Sequence, residues 1–179
     1  TDVIAFGPGL GRSAWARSMF EVAVADSRPA VWDADGLNWL AEHPNQVEAR
    51  VITPHPGEAG ELLGVASAKI QADRIAAVEA LRQRYGGVAV LKGAGSLVAS
   101  GADVPSICTS GNPGMASAGM GDVLTGIIAA LLAQGLAAER AALVGVESHA
   151  RAGDRAARGG ERGLIASDLI SALRDVMNP

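Results

Sequence analysis

The sequence predicts an α/β protein whose sheet is mainly parallel and carries helices on both faces. Short apolar runs alternate along the chain with segments of helical periodicity, which is the pattern of strands joined by crossover helices. Four polar or glycine-rich motifs follow an apolar run directly. Of the 179 residues, 49% are hydrophobic and 19% are charged, so residues 1–179 are predicted to form one domain with a substantial core.

The first half of the chain is predicted to contain three strands, each followed by a helix. Apolar runs at 3–6, 30–32 and 51–52 are bounded by Gly, Pro or Asp, which indicates short buried strands. Ser13 and Ser67 each precede apolar residues at helical spacing, so each is predicted to cap a helix. The helix after Ser67 is predicted to continue unbroken to residue 81.

The second half of the chain is predicted to continue the sheet and then to become helical. A strand at 87–91 passes through a glycine-rich turn into a strand at 96–99, which is the pattern of a hairpin. A further strand at 104–108 leads into a glycine-rich loop. The remaining elements are a helix that begins near Asp122, predicted to be buried because it is apolar on all sides, and helices at 138–158 and 167–176.

The motifs that follow the predicted strands are expected to meet at one edge of the sheet. In an open parallel sheet, ligands bind outside the carboxyl ends of the strands. The sequence therefore predicts a binding site at that edge. The four motifs are Gly7-Pro8-Gly9-Leu10-Gly11, Asp33-Ala34-Asp35-Gly36, Thr53-Pro54-His55-Pro56-Gly57-Glu58 and Lys92-Gly93-Ala94-Gly95-Ser96.

The segment from Asn112 to Asp122 carries the most chemical information. Gly119 and Gly121 allow a tight turn and a close backbone approach to a ligand. The helix that follows presents its free N–H groups and the positive end of its dipole there, which predicts a site for an anion such as phosphate. Asp122 either caps this helix or takes a proton from a hydroxyl that attacks phosphorus, and the spacing alone leaves both roles open.

Two other motifs each have a functional and a structural interpretation. Lys92 at a strand end, before small residues, suits nucleotide phosphates, but the same residues suit an ordinary glycine turn with an exposed lysine. His55 lies between two prolines that fix the backbone, which indicates either a ligand contact or a structural histidine. His43 at a helix end and His149 in a mostly apolar helix are interpreted as structural.

The remaining candidates concern metal, backbone and thiol chemistry, and no direct set of metal ligands is predicted. Asp33 and Asp35 either bind Mg²⁺ through water, or Asp35 caps the next helix. The loop from Gly7 to Gly11 lacks the Walker lysine and the dinucleotide spacing, so it is interpreted as a backbone platform that contacts a ligand. Cys108 is interpreted as a buried strand residue, because no histidine or base lies near it in the sequence.

Charge and composition argue against several classes of protein. The net charge is −4 and no basic stretch is present, so nucleic-acid binding is not expected. The apolar run at 123–132 is too short to span a bilayer, so no membrane contact is expected. The single cysteine, Cys108, excludes an internal disulfide and favours a cytoplasmic location.

Taken together, the motifs resemble the sequence blocks of the NAD(P)H-hydrate dehydratases, a family of the ribokinase-like superfamily. The matching blocks are GPGLG, DADGLN, TPHPGE, VLKGAGS and NPGMASAGMGDVLTG, in the family's order, and the final GLIASDL resembles its last block. GxGD alone is shared across the superfamily, whereas its combination with TPHPGE and NPGMA is much more specific. The resemblance covers essentially the whole chain and implies a ribokinase-like three-layer fold.

The resemblance implies a repair reaction on damaged NADH and NADPH. Hydration of the nicotinamide ring leaves a hydroxyl group at C6, and the family phosphorylates that hydroxyl with ADP or ATP. Phosphate is a far better leaving group than hydroxide, so its loss restores the double bond of the ring. Mg²⁺ is implied beside the nucleotide. The sequence does not decide between ADP and ATP, or between the NADH and NADPH hydrates.

The resemblance also assigns roles to residues of this sequence. Asp122 would be the base that activates the hydroxyl, and Asn112 would shape the phosphate region. Backbone amides at the helix start would stabilise charge on the transferred phosphoryl group. The hydrated dinucleotide would contact Gly11, His55 and Asp122; the nucleotide would contact Lys92, Gly93, Ala94, Gly95, Ser96 and Gly121; and the anion hole would consist of Ala118, Gly119, Met120 and Gly121.

The resemblance extends to parts outside this sequence. Family members carry further strands and helices before GPGLG, so the N-terminal part of the fold is expected to be missing here. Many bacterial members also carry an NAD(P)H-hydrate epimerase domain, so a fused or separate epimerase is an expected partner, and a homo-oligomer is expected. Two alternatives stay open: a ribokinase-like kinase for a vitamin precursor, and a nucleotide-binding domain without catalysis.

Overall fold

A six-stranded sheet forms the centre of the computed structural model, which describes residues 2–101 and 104–178. The strands lie across the sheet in chain order; the first four are parallel, and the last two each run antiparallel to the strand before. They are β1 Ile4–Phe6, β2 Ala30–Trp32, β3 Arg50–Ile52, β4 Val88–Leu91, β5 Leu97–Ala99 and β6 Ser106–Ile107. The predicted mainly parallel sheet and the hairpin of β4 and β5 are confirmed.

Eight α-helices of the described residues join and follow these strands. They are α1 Ala14–Ala25, α2 Asp35–Glu42, α3 Pro56–Leu63, α4 Ser67–Ala72, α5 Arg74–Tyr85, α6 Met120–Ala133, α7 Ala138–Ala156 and α8 Ala166–Met177. Ser13 caps α1 as predicted, because its hydroxyl accepts a hydrogen bond from Ala16 N at 3.2 Å. None of these helices is both long and apolar enough to cross a membrane.

The two faces of the sheet bury different side chains, because successive residues of a strand point to opposite sides. In β2, Trp32 packs among residues of α1 to α5, whereas Val31 packs among residues of α6 and α7. In β3, Ile52 likewise packs on the face covered by α1 to α5, and Val51 packs on the face covered by α6 and α7. Helices therefore cover both faces, and the predicted three-layer arrangement is confirmed.

The predicted single helix from residue 67 to 81 is wrong, since two helices occupy this stretch. Ala66, and not Ser67, occupies the N-cap position of α4. Asp73 ends α4 and caps α5, where its carboxylate accepts a hydrogen bond from Ala76 N at 3.0 Å. A side chain that bonds to nearby backbone competes with a continuous helix, and apolar spacing does not reveal this competition.

Two boundaries and one burial pattern in the second half also differ from the prediction. The strand expected at 104–108 is only two residues long, and both lie exposed in β6. Helix α6 begins before Asp122, because Gly119 adopts a positive φ of 85° and takes the N-cap position. The predicted burial of α6 on all sides is wrong, since Gly126 and Ala130 are exposed on its outer face.

Candidate active site

The carboxyl ends of β2, β3 and β4 meet the N-terminus of α6 around a cavity of about 900 Å³. Asp33, His55 and Lys92 line it from the three strand ends, which is where ligands bind in parallel sheets. Three of the four predicted strand-end motifs therefore share one cavity. Its other wall comes from residues 108–113, 115–117 and 120–122 and from Val146, His149 and Ala150 of α7.

A buried ion pair connects two of these strand ends. Lys92 Nζ lies 2.5 Å from Asp33 Oδ1, and the two side chains are 17% and 2% exposed. The other carboxylate oxygen, Asp33 Oδ2, accepts a hydrogen bond from Thr125 Oγ1 at 2.9 Å. Burial of a charge is costly unless it is paired and hydrogen-bonded, and Asp33 satisfies both conditions. These contacts hold β2, β4 and α6 together beside the cavity.

Gly121 brings the first turn of α6 directly against this ion pair. A Cβ atom at this position would lie 3.2 Å from Lys92 Nζ and 3.4 Å from Asp33 Oδ2, which is tighter than most real contacts. The absence of a side chain at Gly121 therefore lets the helix start approach the ammonium group. The close approach that the sequence predicted is confirmed, while the nucleotide contact of Gly121 stays a prediction.

His55 is both a structural residue and a residue of the cavity wall. It forms a capping box with α3: its Nδ1 accepts hydrogen bonds from the backbone N–H of Gly57 and Glu58, and Glu58 Oε2 accepts one from His55 N at 2.7 Å. The Glu58 carboxylate also lies 3.6 Å from both His55 Nε2 and Lys92 Nζ. Glu58, for which the sequence alone indicated no role, thus connects His55 to the ion pair.

Asp122 presents an unpartnered carboxylate to the cavity from the first turn of α6. Gly119 is the N-cap residue, so Asp122 does not cap the helix. Within residues 2–101 and 104–178, no group donates a hydrogen bond to this carboxylate or forms an ion pair with it. Asp122 is exposed and lies in the first turn of α6. The carboxylate is therefore available to accept a proton from a bound molecule.

The segment predicted to contact the nucleotide, 92–96, lines the cavity over its whole length. Arg74 at the start of α5 supports it, because the guanidinium donates hydrogen bonds to the carbonyl oxygens of Ala94 and Leu91. Burial lowers the pKa of Arg74 from its ordinary value. No local pattern in the sequence marks Arg74, since its partners Leu91 and Ala94 lie 17 and 20 residues further along the chain.

The loop after β6 forms the facing wall, and Asn112 fixes its shape, while its role beside a phosphate stays a prediction. Asn112 Oδ1 accepts a hydrogen bond from Gly114 N at 3.1 Å and caps the 3-10 helix Pro113–Met115. Its amide Nδ2 donates to Asp154 Oδ1 at 3.0 Å, and Gly111 N donates to Asp154 Oδ2 at 2.9 Å. Asp154 of α7 thereby fixes a loop that the sequence analysis connected only to the start of α6.

Two further cavity residues, His149 and Cys108, have surroundings that their positions in the sequence did not indicate. His149 Nε2 lies 2.9 Å from the carbonyl oxygen of Met120, so it donates to α6, and burial lowers the pKa of His149. Cys108 lies just after β6 and is half-buried, and its Sγ is 3.3 Å from Glu147 Oε2. Burial raises the pKa of the Cys108 thiol, and the nearby Glu147 carboxylate raises it further, so the thiol stays protonated.

Three of the predicted site residues lie outside the cavity wall, namely Gly11, Ala118 and Gly119. Gly11 N donates to Asp35 Oδ2 at 2.8 Å, and its carbonyl accepts a hydrogen bond from Trp39 Nε1 at 3.1 Å. Ala118 is exposed and precedes the turn of α6 that reaches the cavity. The contacts assigned to these three residues stay predictions.

Asp33 and Asp35 each bond to groups of the protein, and their binding of Mg²⁺ through water stays a prediction. The oxygens of Asp33 are occupied by Lys92 and Thr125, while Asp35 binds Gly11 and does not cap α2. In the part of the chain that the structure describes, no three His, Cys, Asp or Glu side chains are placed to hold a metal. A Mg²⁺ ion here would take its ligands mainly from phosphates and water, as Mg²⁺ usually does.

Comparison with known protein families shows to which of the families that share this fold the chain belongs. The family model described as NAD(P)H-hydrate dehydratase matches residues 1–175. The chain belongs to the NAD(P)H-hydrate dehydratase family. Its bifunctional relative in Escherichia coli (strain K12), the NAD(P)H-hydrate repair enzyme Nnr, is 51% identical over 179 residues. The match covers 99% of this chain and 35% of Nnr, so the chain spans about a third of that relative.

Further members of the NAD(P)H-hydrate dehydratase family match over nearly the whole chain. The ADP-dependent (S)-NAD(P)H-hydrate dehydratase of Neisseria meningitidis serogroup B is 41% identical over 184 residues, covering 98% of this chain and 62% of that protein. The structure resembles the ADP/ATP-dependent NAD(P)H-hydrate dehydratase of Bacillus subtilis co-crystallized with ATP and Mg²⁺, with a TM-score of 0.88, 27% identity and coverage of 99% and 64%. A hydroxyethylthiazole kinase from Pyrococcus horikoshii (TM-score 0.76, 17% identity) shares the ribokinase-like fold alone.

Proposed function

We propose that this chain catalyses the nucleotide-dependent dehydration of hydrated NADH and NADPH. The placement of Asp122 carries the proposal: an unpartnered carboxylate lies in the first turn of α6, in the same cavity as Lys92 and the segment 93–96. A phosphate-attracting helix start, an ammonium group and a free base in one cavity are the parts that phosphoryl transfer to a hydroxyl requires. The names of the matching relatives support the same reaction.

In the proposed reaction, the terminal phosphoryl group of the nucleotide lies between Lys92 and the first turn of α6. The C6 hydroxyl oxygen of the hydrated nicotinamide attacks phosphorus, the bond from phosphorus to the bridging oxygen of the nucleotide breaks, and Asp122 takes the hydroxyl proton. The bond between C6 and oxygen then breaks, and phosphate leaves with its electron pair. A proton is lost from the neighbouring ring carbon, so the double bond returns. The products are the reduced dinucleotide, inorganic phosphate and a nucleotide shortened by one phosphate.

The charges around the cavity support a nucleotide that enters with a cation. Asp33, Glu58 and Asp122 bring three carboxylates, whereas Lys92 brings one ammonium and the half-buried His149 is neutral near pH 7. A polyphosphate would add further negative charge to this set, and like charges at short range repel strongly. We therefore propose ADP or ATP as co-substrate with Mg²⁺ bound to its phosphates.

The wider setting of the protein is part of the proposal. Relatives with the bifunctional name support a functional link to an NAD(P)H-hydrate epimerase, fused or separate. A cytoplasmic homo-oligomer that binds neither nucleic acid nor membrane is proposed from the acidic net charge, the single cysteine and the family's tendency to oligomerise.

Product analysis separates the proposed dehydratase from the two alternatives. The purified protein is incubated with hydrated NADH, Mg²⁺ and either ADP or ATP, and phosphorus NMR follows the phosphorus species. The dehydratase releases inorganic phosphate as NADH absorbance returns. A stable phosphoester without NADH would show a kinase, and nucleotide binding without any product would show a non-catalytic domain.

Protection of Lys92 by nucleotide tests the proposed nucleotide site directly. The sequence offers an internal reference, because its other lysine, Lys69, lies exposed on α4, away from the cavity. Bound ADP or ATP is expected to slow acylation of Lys92 by an amine-reactive reagent, with no effect on Lys69. Mass spectrometry of the two peptides gives both rates. Equal slowing at both lysines, or none at either under saturating nucleotide, would contradict the assignment.

A further inference from the structure

We propose that Asp33 is a positioning residue of this site: it holds the Lys92 ammonium against the first turn of α6. Asp33 is 1% exposed, and its two oxygens are occupied by Lys92 Nζ and Thr125 Oγ1. Each oxygen is thus engaged by a group of the protein, and Asp33 acts on the bound molecule through Lys92. The proposal rests on the proposed function, because it assumes that the ammonium faces a phosphoryl group.

Two carboxylates compete for Lys92, and their distances show which one sets its position. Asp33 Oδ1 lies 2.5 Å from Nζ, whereas Glu58 Oε2 lies 3.6 Å away on the α3 side. Coulomb attraction is strongest at the shorter distance, and Asp33 is the more buried of the two. The ammonium is thus held beside Gly121, where a Cβ atom would lie only 3.2 Å from it.

The backbone around Asp33 is shaped to place this carboxylate. Ala34, the next residue, has a φ of 47°, a conformation that residues with a Cβ atom rarely adopt. On the other side, Gly7 leaves room for the Asp33 carbonyl, which would lie 1.8 Å from a Cβ atom at residue 7. Unfavourable backbone conformations persist where the surrounding structure holds them, often at functional sites. Both features fix the point at which the chain leaves β2.

Asp33→Asn is expected to separate catalysis from binding. The substitution keeps the size of the side chain but removes the charge that holds Lys92. We expect kcat to fall about 100-fold, because a misplaced group near the reacting atoms can cost that much. Nucleotide affinity should stay the same or increase, since one negative charge beside the phosphates is lost. A parallel loss of kcat and affinity would indicate a merely structural role and would overturn the proposal.

Variants of Thr125 test the same role without touching the cavity wall, which Thr125 does not line. Thr125→Val keeps the shape and removes the hydroxyl that bonds Asp33, and kcat is expected to fall roughly tenfold. Thr125→Ser retains the hydroxyl and should keep kcat close to that of the wild type. A merely structural role predicts a loss in both variants, because valine leaves Asp33 Oδ2 without its donor and serine leaves a gap at a site that is 2% exposed. Equal kcat values for the two variants would contradict the proposal.

Acylation of Lys92 distinguishes failure of this proposal from failure of the proposed function. Lys92 is shielded by its pairing, whereas Lys69 is exposed. The ratio of Lys92 to Lys69 labelling, without nucleotide, is expected to rise in Asp33→Asn and in Thr125→Val but not in Thr125→Ser. If the wild type shows no turnover, the proposed function fails, and this ratio still decides the positioning role. An unchanged labelling ratio in both Asp33→Asn and Thr125→Val would overturn the positioning role of Asp33.

Discussion

The Asp122→Asn variant is expected to lose turnover of hydrated NADH by about 10²- to 10⁴-fold, the usual contribution of a general base. Asparagine has nearly the same shape as aspartate, but its amide does not accept a proton at neutral pH. The affinity for ADP or ATP should change little, because the proposed phosphate contacts come from Lys92 and from backbone amides of α6. Steady-state kinetics and calorimetric nucleotide titration measure the two effects separately.

Asp175→Asn provides the matched control for this variant. Asp175 also lies on a helix and is exposed, and its partner is Arg155 in a surface ion pair away from the cavity. Such pairs contribute little, so turnover should remain at the wild-type level. Near-normal turnover of Asp122→Asn would show that the base assignment is wrong. Loss of nucleotide affinity in that variant would show instead that Asp122 acts mainly in binding.

The Gly7→Ala variant is expected to be the most destabilised glycine variant of the loop after β1. Gly7 has a φ of 123°, and an added Cβ atom would lie 1.8 Å from Asp33 O and 2.6 Å from Gly36 N. Both are backbone atoms, which cannot move aside by a change of rotamer, so the end of β1 must shift. We expect the free energy of unfolding to fall by about 3 kcal/mol or more, because the alanine would have both an unfavourable backbone conformation and no space for its Cβ atom.

Gly9→Ala in the same loop separates the steric effect from the backbone preference. Gly9 has a φ of 70°, but nothing lies within 4 Å of an added Cβ atom. Only the left-handed conformation is then unfavourable, which costs about 1–2 kcal/mol. Urea unfolding of both variants and the wild type gives the comparison. Equal destabilisation by the two substitutions would contradict the close packing of Gly7 against the carbonyl of Asp33.

Features that depend on local spacing could be predicted from the sequence. The strand ends that carry Asp33, His55 and Lys92 follow short apolar runs, and topology alone places such ends at one edge of the sheet. The need for glycine at residue 121 was also visible, because a helix start after a glycine-rich loop requires close backbone approach. These inferences needed no knowledge of distant contacts.

Contacts between distant parts of the chain could not be predicted in this way. Lys92 and Asp33 are 59 residues apart, and Thr125 and Asp33 are 92 residues apart. His149 was interpreted as structural because an apolar helix surrounds it in the sequence, yet the packing of α7 on α6 brings it to the cavity wall. The capping role of Asp73 was missed for another reason: it depends on a side-chain bond that apolar periodicity does not report.

Recovery of NADH absorbance from hydrated NADH, followed together with nucleotide consumption and phosphate release, decides whether this site dehydrates hydrated NADH. We expect recovery to require ADP or ATP with Mg²⁺. One NADH and one phosphate should appear for each nucleotide consumed. Recovery that proceeds at the same rate without nucleotide, or nucleotide consumption that yields a stable phosphoester and no NADH, would contradict the proposed reaction.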